Sequence, residues 1–242
     1  MIRFSRFQRP ALMTFLLLSL GLTACQPARI PEPEERPATV TAWPDIDFEQ
    51  AAADGKRVFR LDAKASRIDI IVRREGPLAR FGHDHVLVVR NPEGFLLLDQ
   101  VVSDSVARLR FAVDHLDVDP TEERALYQLD SRPDQDDISA TRKNLLTRVL
   151  ESGQWPFITI DLADLVEHDE SYSATVTISV KNSRLNRREA FQLNLEGEQV
   201  LIKGTMTLRQ TELGLEPFSV MGGGLKVADQ LEMHFSLTGR PL

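Results

Sequence analysis

The sequence predicts a mainly β fold: an antiparallel barrel or sandwich interrupted by one short helical insertion. Three observations predict it. From Arg57 onward apolar residues alternate with polar ones at period two, turn-forming clusters recur between the alternating runs, and only residues 138–152 carry an extended helical pattern.

The residues before Arg57 are of another kind. Arg3, Arg6 and Arg9 form a basic head, followed by an apolar run over 11–22. A bilayer span needs ~20 apolar residues, so this run is a signal-peptide core rather than a membrane helix. It ends in Leu22-Thr23-Ala24-Cys25, and Cys25 is the single cysteine of the chain. Leu-Thr-Ala-Cys resembles the lipobox of bacterial lipoproteins. The resemblance implies cleavage after Ala24 and lipid attachment at Cys25. Gln26 in place of Asp implies the outer membrane, with the domain in the periplasm and membrane contact through the lipidated N-terminus. Residues 25–56 read as a tether: Pro27, Pro31, Pro33, Pro37 and Pro44 break periodicity, and Glu32, Glu34 and Glu35 keep it solvated. Within it, Ile46, Phe48 and Ala51-Ala52-Ala53 fit one loose helical turn.

Charge and cysteine usage narrow the function. The chain has 29 Lys and Arg against 36 Asp and Glu, a formal −7; without the three signal-peptide arginines it has 26 against 36, a formal −10. Such a surface repels phosphate backbones, so nucleic acid is not expected as a partner. With Cys25 lipidated no thiol is left for a disulfide, and the core alone must hold the fold. The roughly 218 residues that follow the signal peptide suffice for one large β domain, placed at 57–242.

Each element follows in order. Ile68, Ile70 and Val72 alternate with Arg67, Asp69 and Arg73. Residues 84–90 and 94–102 read as a strand pair around Asn91-Pro92-Glu93-Gly94. Ser103-Asp104-Ser105 then turns into a strand over 106–118. Asp136-Asp137 precede residues 138–152, where Leu145, Leu146, Val149 and Leu150 fall at helical spacing and Gly153 closes. Acidic residues suit a helix start and glycine suits its C-terminal cap, so Asp134, Asp136 and Asp137 read as helix-start chemistry rather than a metal loop. A short helix before it fits the same pattern. Strands follow over 157–165, 172–180, 189–195, 200–209 and 230–239, joined mostly by hairpin-like turns.

No catalytic set emerges, and no enzyme is expected. There is no Gly-x-Ser-x-Gly elbow, Gly222-Gly223-Gly224-Leu225-Lys226 lacks phosphate-loop spacing, and Asp117-x-Asp119 lacks the glycine and closing glutamate of a calcium loop. The histidines sort by strand parity, since residues two apart share a face. His83 and His85 share parity with Phe81, Leu87 and Val89; His115 shares it with Leu109, Phe111 and Val113. All three are placed on apolar strand faces. His234 falls with Glu232 and Ser236 and is expected to face water, and His168 sits in a turn. Three inward imidazoles suit either a His83–His85–His115 site for zinc or copper, or a polar island bonded to backbone, to Asp84 or Asp114, or to buried water.

Further along, Leu213-Gly214-Leu215-Glu216-Pro217-Phe218-Ser219 and 222–231, with Asn144-Leu145-Leu146, Gly153-Gln154-Trp155-Pro156-Phe157-Ile158 and Gly204-Thr205-Met206-Thr207-Leu208, resemble the YceI-like polyisoprenoid-binding family in order and spacing. The resemblance spans roughly 57–242. It implies a lipocalin-like barrel, extended by a helix, whose apolar interior holds an isoprenoid or other amphiphilic lipid. The departure is Gly82-His83-Asp84-His85, where much of the family carries a single histidine. Independently, an eight-stranded barrel has room for one small ligand. Phe81, His83, His85, Leu87, Phe111 and His115 are the candidate ligand-binding residues, with the histidines orienting a lipid head group. No cofactor is expected beyond a bound isoprenoid lipid, and a homodimer is left open. Two other readings compete: a metal-binding protein or metalloenzyme built on the His-x-His pair, and a structural envelope module with no cavity.

Overall fold

A computed structural model describes residues 43–242. The signal segment, Cys25 and the first part of the expected tether lie outside the described residues. In chain order the elements are α1 (Phe48–Ala53), β1 (Arg57–Leu61), β2 (Arg67–Glu75), β3 (His85–Val89), β4 (Glu93–Leu98), β5 (Val106–Ala112), β6 (Leu116–Val118), α2 (Thr121–Leu126), α3 (Gln135–Asn144), β7 (Phe157–Glu167), β8 (Tyr172–Val180), β9 (Ser183–Glu196), β10 (Gln199–Arg209), β11 (Ser219–Val220) and β12 (Leu225–Pro241).

Period-two alternation makes one wall from these strands. β1, β4, β5, β7, β8, β9, β10 and β12 pair antiparallel in that order, and β1 returns to β12 to close an eight-stranded barrel. In β8 every second residue from Ala174 to Val180 is buried, the inward row of a half-wetted strand. Two apolar clusters fill the interior. Phe59, Leu96, Leu165, Phe191 and Val200 occupy one end, while Leu87, Phe111, Ile178, Leu208 and Met233 occupy the other.

Three of the wall strands are broken. β1 and β2 both run antiparallel to β12, through Leu61↔Gly239 and Arg67↔Ser236, so they are two parts of one kinked strand. β3 pairs with β2 while β4 pairs with β1, and β6 pairs with β3 while β5 pairs with β4. The hairpin expected between 84–90 and 94–102 therefore does not form. Asn91, at φ 51°, turns the chain at a kink, and the two segments continue along the wall to different partners. The strand expected over 106–118 is likewise broken, by a 3₁₀ turn at Val113–His115.

That second break opens the wall. β7 pairs with β5, whereas β6 has β3 as its single strand partner among the described residues. α3 and the wide π-type turn Leu145–Val149 cover the space. Asp134 caps α3 in a reciprocal capping box with Asp137, which bears out the helix-start reading of the acidic cluster. Arg142 Nη2 donates to the Asp114 carbonyl at 2.7 Å and ties the helix to the break. The helix ends through Glu151 at φ 50°, not through Gly153, and Leu150 is buried.

The folded part begins before Arg57. Asp47 caps α1, and Phe48, 1% exposed, stacks on Phe95 at 5.1 Å and packs with Val58 and Leu97 on the barrel's outer face. The last stretch of the expected tether is thus docked, because its apolar residues match an outer face the barrel would otherwise leave wet.

Candidate ligand cavity

A cavity of about 330 Å³ opens at the end of the barrel that α3 covers. Its deep wall is apolar: Leu87 from β3, Phe111 from β5, Ile158 and Ile160 from β7, Ile178 from β8 and Met233 from β12. Leu145 and Val149 close it from the helical side. Both are half-buried: they pack on the core cluster and line this space, because the turn that carries them spans the opened wall.

Polar groups gather at one side, on the loop from β2 to β3. Phe81, His83 and His85 all line the cavity with Leu87 and Phe111, so the structure brings together five of the six expected residues. His115 is the correction. It lies exposed on the 3₁₀ turn that breaks β5 from β6 and does not reach the cavity, because strand parity is lost at Val113. Among the described residues no three His, Cys, Asp or Glu side chains converge as a metal cluster.

His83 and His85 differ in support. Their ring centroids are 6.3 Å apart. His83 Nε2 lies 3.2 Å from Asp137 Oδ2 on α3, while its Nδ1 is buried without a hydrogen-bond partner. His85 Nδ1 lies 2.6 Å from Asp119 Oδ2. The other Asp119 oxygen accepts from the Val86 N–H at 3.0 Å and from Arg124 Nη1 at 2.7 Å. Burial pushes the Asp119 carboxyl up, but the His85 hydrogen bond and charge, the Val86 N–H and Arg124 outweigh it and hold the group below its ordinary value. Arg124 also donates from Nη1 to the Asp84 carbonyl at 2.7 Å, pinning the loop that carries the histidines.

Backbone, buried water, Asp84 or Asp114 were the partners expected for the histidines; the carboxylates beside them are Asp137 and Asp119. Asp84 instead accepts from the Arg74 N–H at 2.9 Å. Asp119 and Arg124 were missed as support for the site. The signal was present in Asp119-Pro120-Thr121-Glu122-Glu123-Arg124, a turn followed by a helix start. No periodicity, however, links it to His85, 34 residues earlier.

His168 sits beyond the end of β7, with Nε2 2.9 Å from Ser173 Oγ. His234 faces outward as expected but is half-covered, since the Tyr127 ring lies 5.1 Å from it. The Tyr127 hydroxyl donates to Asp69 Oδ2 at 2.7 Å, and Asp69 is fully buried, although its place in the alternation predicted an outward, wet position. α2 and the residues after it cover that patch of outer wall.

Fold and site together define a lipocalin-like barrel with an apolar cavity and a histidine-bearing polar mouth; the reading of a module without a cavity is overturned. No family model matches the chain, and no curated protein matches it by sequence. Solved structures do. BcnA of Burkholderia cenocepacia is similar at a TM-score of 0.56 and 10% identity, over 74% of this chain and 98% of that one. A polyisoprenoid binding domain from Saccharophagus degradans, implicated in plant cell wall breakdown, is similar at 0.54 and 10%, over 77% of this chain and 100% of that one. The chain has the fold of that domain, as the resemblance in its sequence implied.

Proposed function

We propose that this chain is a YceI-like cell-envelope lipoprotein that binds or carries an isoprenoid-type or other amphiphilic lipid in its barrel cavity. The observation that carries the reading is the cavity's polarity: an apolar depth with His83 and His85 gathered at one side of the mouth. A lipid tail would lie against Leu87, Phe111 and Ile178, where burial is worth about 25 cal/mol per Å² of apolar surface. Its head would meet the imidazoles. The buried Nδ1 of His83 lacks a partner, which costs about 1–3 kcal/mol, and a ligand hydroxyl or phosphate would supply one. The cavity lies near the lower end of the ~300–1,000 Å³ typical of ligand sites, so a long chain would extend out through the mouth. Likeness to a polyisoprenoid binding domain supports the same class of ligand.

The role proposed is binding without chemistry. The periplasmic, outer-membrane placement rests on the lipobox at Cys25, and Cys25→Ser should release the protein from the membrane or leave it uncleaved. Mass spectrometry of an organic extract from gently purified protein tests the ligand, with metal analysis of the same sample. An amphiphilic lipid recovered in near-stoichiometric amount is expected. One tightly held zinc or copper per chain, with no lipid, would overturn the reading in favour of the metal alternative.

A further inference from the structure

The cavity mouth has an exposed apolar rim, of which the ligand-binding reading uses Phe81 alone. Phe81 is 63% exposed, Met221 74% and Val220 37%. They sit on two loops fastened to each other: the Leu78 N–H donates to the Gly224 carbonyl at 2.8 Å, and a Cβ on Gly76 would stand 2.7 Å from that same oxygen. Met221, Gly222 and Gly223 all have positive φ, at 52°, 63° and 88°. Left-handed backbone at a methionine is unfavourable, and here it accompanies a large apolar side chain left in water.

Charge identifies what this rim meets. Arg80 lies over the Phe81 ring at 4.6 Å, and Arg148 over the Phe218 ring at 4.7 Å. Neither forms an ion pair among the described residues, whereas nearby Lys226 is paired with Glu75 at 3.4 Å. Two guanidinium groups free of carboxylates thus flank exposed apolar tips, at the opening of an apolar cavity. Apolar tips bury in the acyl boundary of a bilayer, and arginines beside them bind anionic headgroups.

We propose that this rim is a membrane-docking surface, which seats the barrel mouth on an anionic bilayer so that a lipid passes between membrane and cavity without crossing water. The proposal rests on the ligand-carrier reading. It applies to loops 76–84 and 218–225 and to the Arg148 end of the helical segment.

The test uses the full chain, reconstituted with its own N-terminus into vesicles of phosphatidylcholine and phosphatidylglycerol containing brominated acyl chains. Met221→Trp reports the rim, and Val101→Trp reports an exposed site at the opposite end of the barrel, with wild type as the tryptophan baseline. Bromine quenching at 221 in excess of that at 101 is expected, with a blue-shifted emission. Arg80→Glu combined with Arg148→Glu should remove the excess. Equal quenching at the two positions overturns docking, whatever lipid an organic extract contains. Excess quenching that survives the double charge reversal overturns the anionic assignment. Excess quenching beside an extract free of lipid overturns the carrier reading and leaves the docking surface standing.

Discussion

His85 Nδ1 lies 2.6 Å from Asp119 Oδ2, and this contact holds a ring that lines the barrel cavity. A carboxylate accepts, so the Nδ1–H of His85 donates to it, and the pairing fixes the plane of the ring that lines the cavity. Asp119 is itself fixed by Arg124 and the Val86 N–H, so the ring is oriented before a ligand arrives.

Asp119→Asn should therefore cost stability as well as ligand. It leaves Arg124 and His85 without a buried counter-charge, and breaking one partner of a buried pair costs about 3–5 kcal/mol. Urea denaturation reads the loss, and the lipid content of the purified variant should fall with it. A midpoint equal to wild type would show that the network is not a structural support.

The same carboxyl sets an acid dependence. Its folded value is held below the ordinary 3.8, so its contribution is present above that value and is lost as pH falls through the depressed one. Wild type should lose stability in the acid range below about pH 4 more steeply than Asp119→Asn. Parallel denaturation midpoints between pH 2 and 5 would contradict this.

The paired histidines separate lipid from metal. His83→Asn with His85→Gln keeps a hydrogen-bonding group at each position and should leave the barrel folded with a modest loss of lipid retention. His115→Ala should change neither lipid nor metal content, since His115 stands outside the cavity. Metal analysis that dropped with His115→Ala would restore the three-histidine site.

The helical segment should show two kinds of leucine. Leu150 is 5% exposed and Leu150→Ala should cost about 2–5 kcal/mol as a core truncation. Leu145 faces the cavity, so Leu145→Ala should cost less than about 2 kcal/mol and should enlarge the space for ligand. Calorimetry and ligand profiling together decide it; equal costs would place Leu145 in the core.

Gly204→Ala tests the wall itself. A Cβ there would stand 2.5 Å from Phe235 Cζ, so the ring must shift, at about 1–3 kcal/mol for an overpacked core. A thermal midpoint unchanged from wild type would show the ring moves freely.

Much of this architecture was legible because alternation survives where one face is wet. The alternation marks β8 over its full length and β7 and β10 within two residues at their ends, but it misses the first five residues of β12. The first six residues of β9, Ser183 to Arg188, escaped because Leu185 is the single apolar residue among arginines and asparagine. Pairing was less legible than existence. Asn91-Pro92 carries a turn signal whether it closes a hairpin or kinks one strand, and only partners distant in sequence decide which. For the site, parity found Leu87 and Phe111 and brought His85 to the cavity, but failed at His115, where a 3₁₀ turn resets the alternation. Asp119 and Asp137 depend on the path between strands, which no local period encodes.

The break between β5 and β6 has a consequence for motion. Around the β1 end every neighbouring strand is joined by backbone hydrogen bonds, whereas between β6 and β7 the wall is a helical segment held by side chains and by Arg142 on the Asp114 carbonyl. The chain thus contains two units of unequal opening energy. Amide protons from residues 135–149 should exchange through local excursions, while those of β1, β4 and β12 should wait for global unfolding. One flank of the barrel can swing aside and return while the ring below it keeps its register.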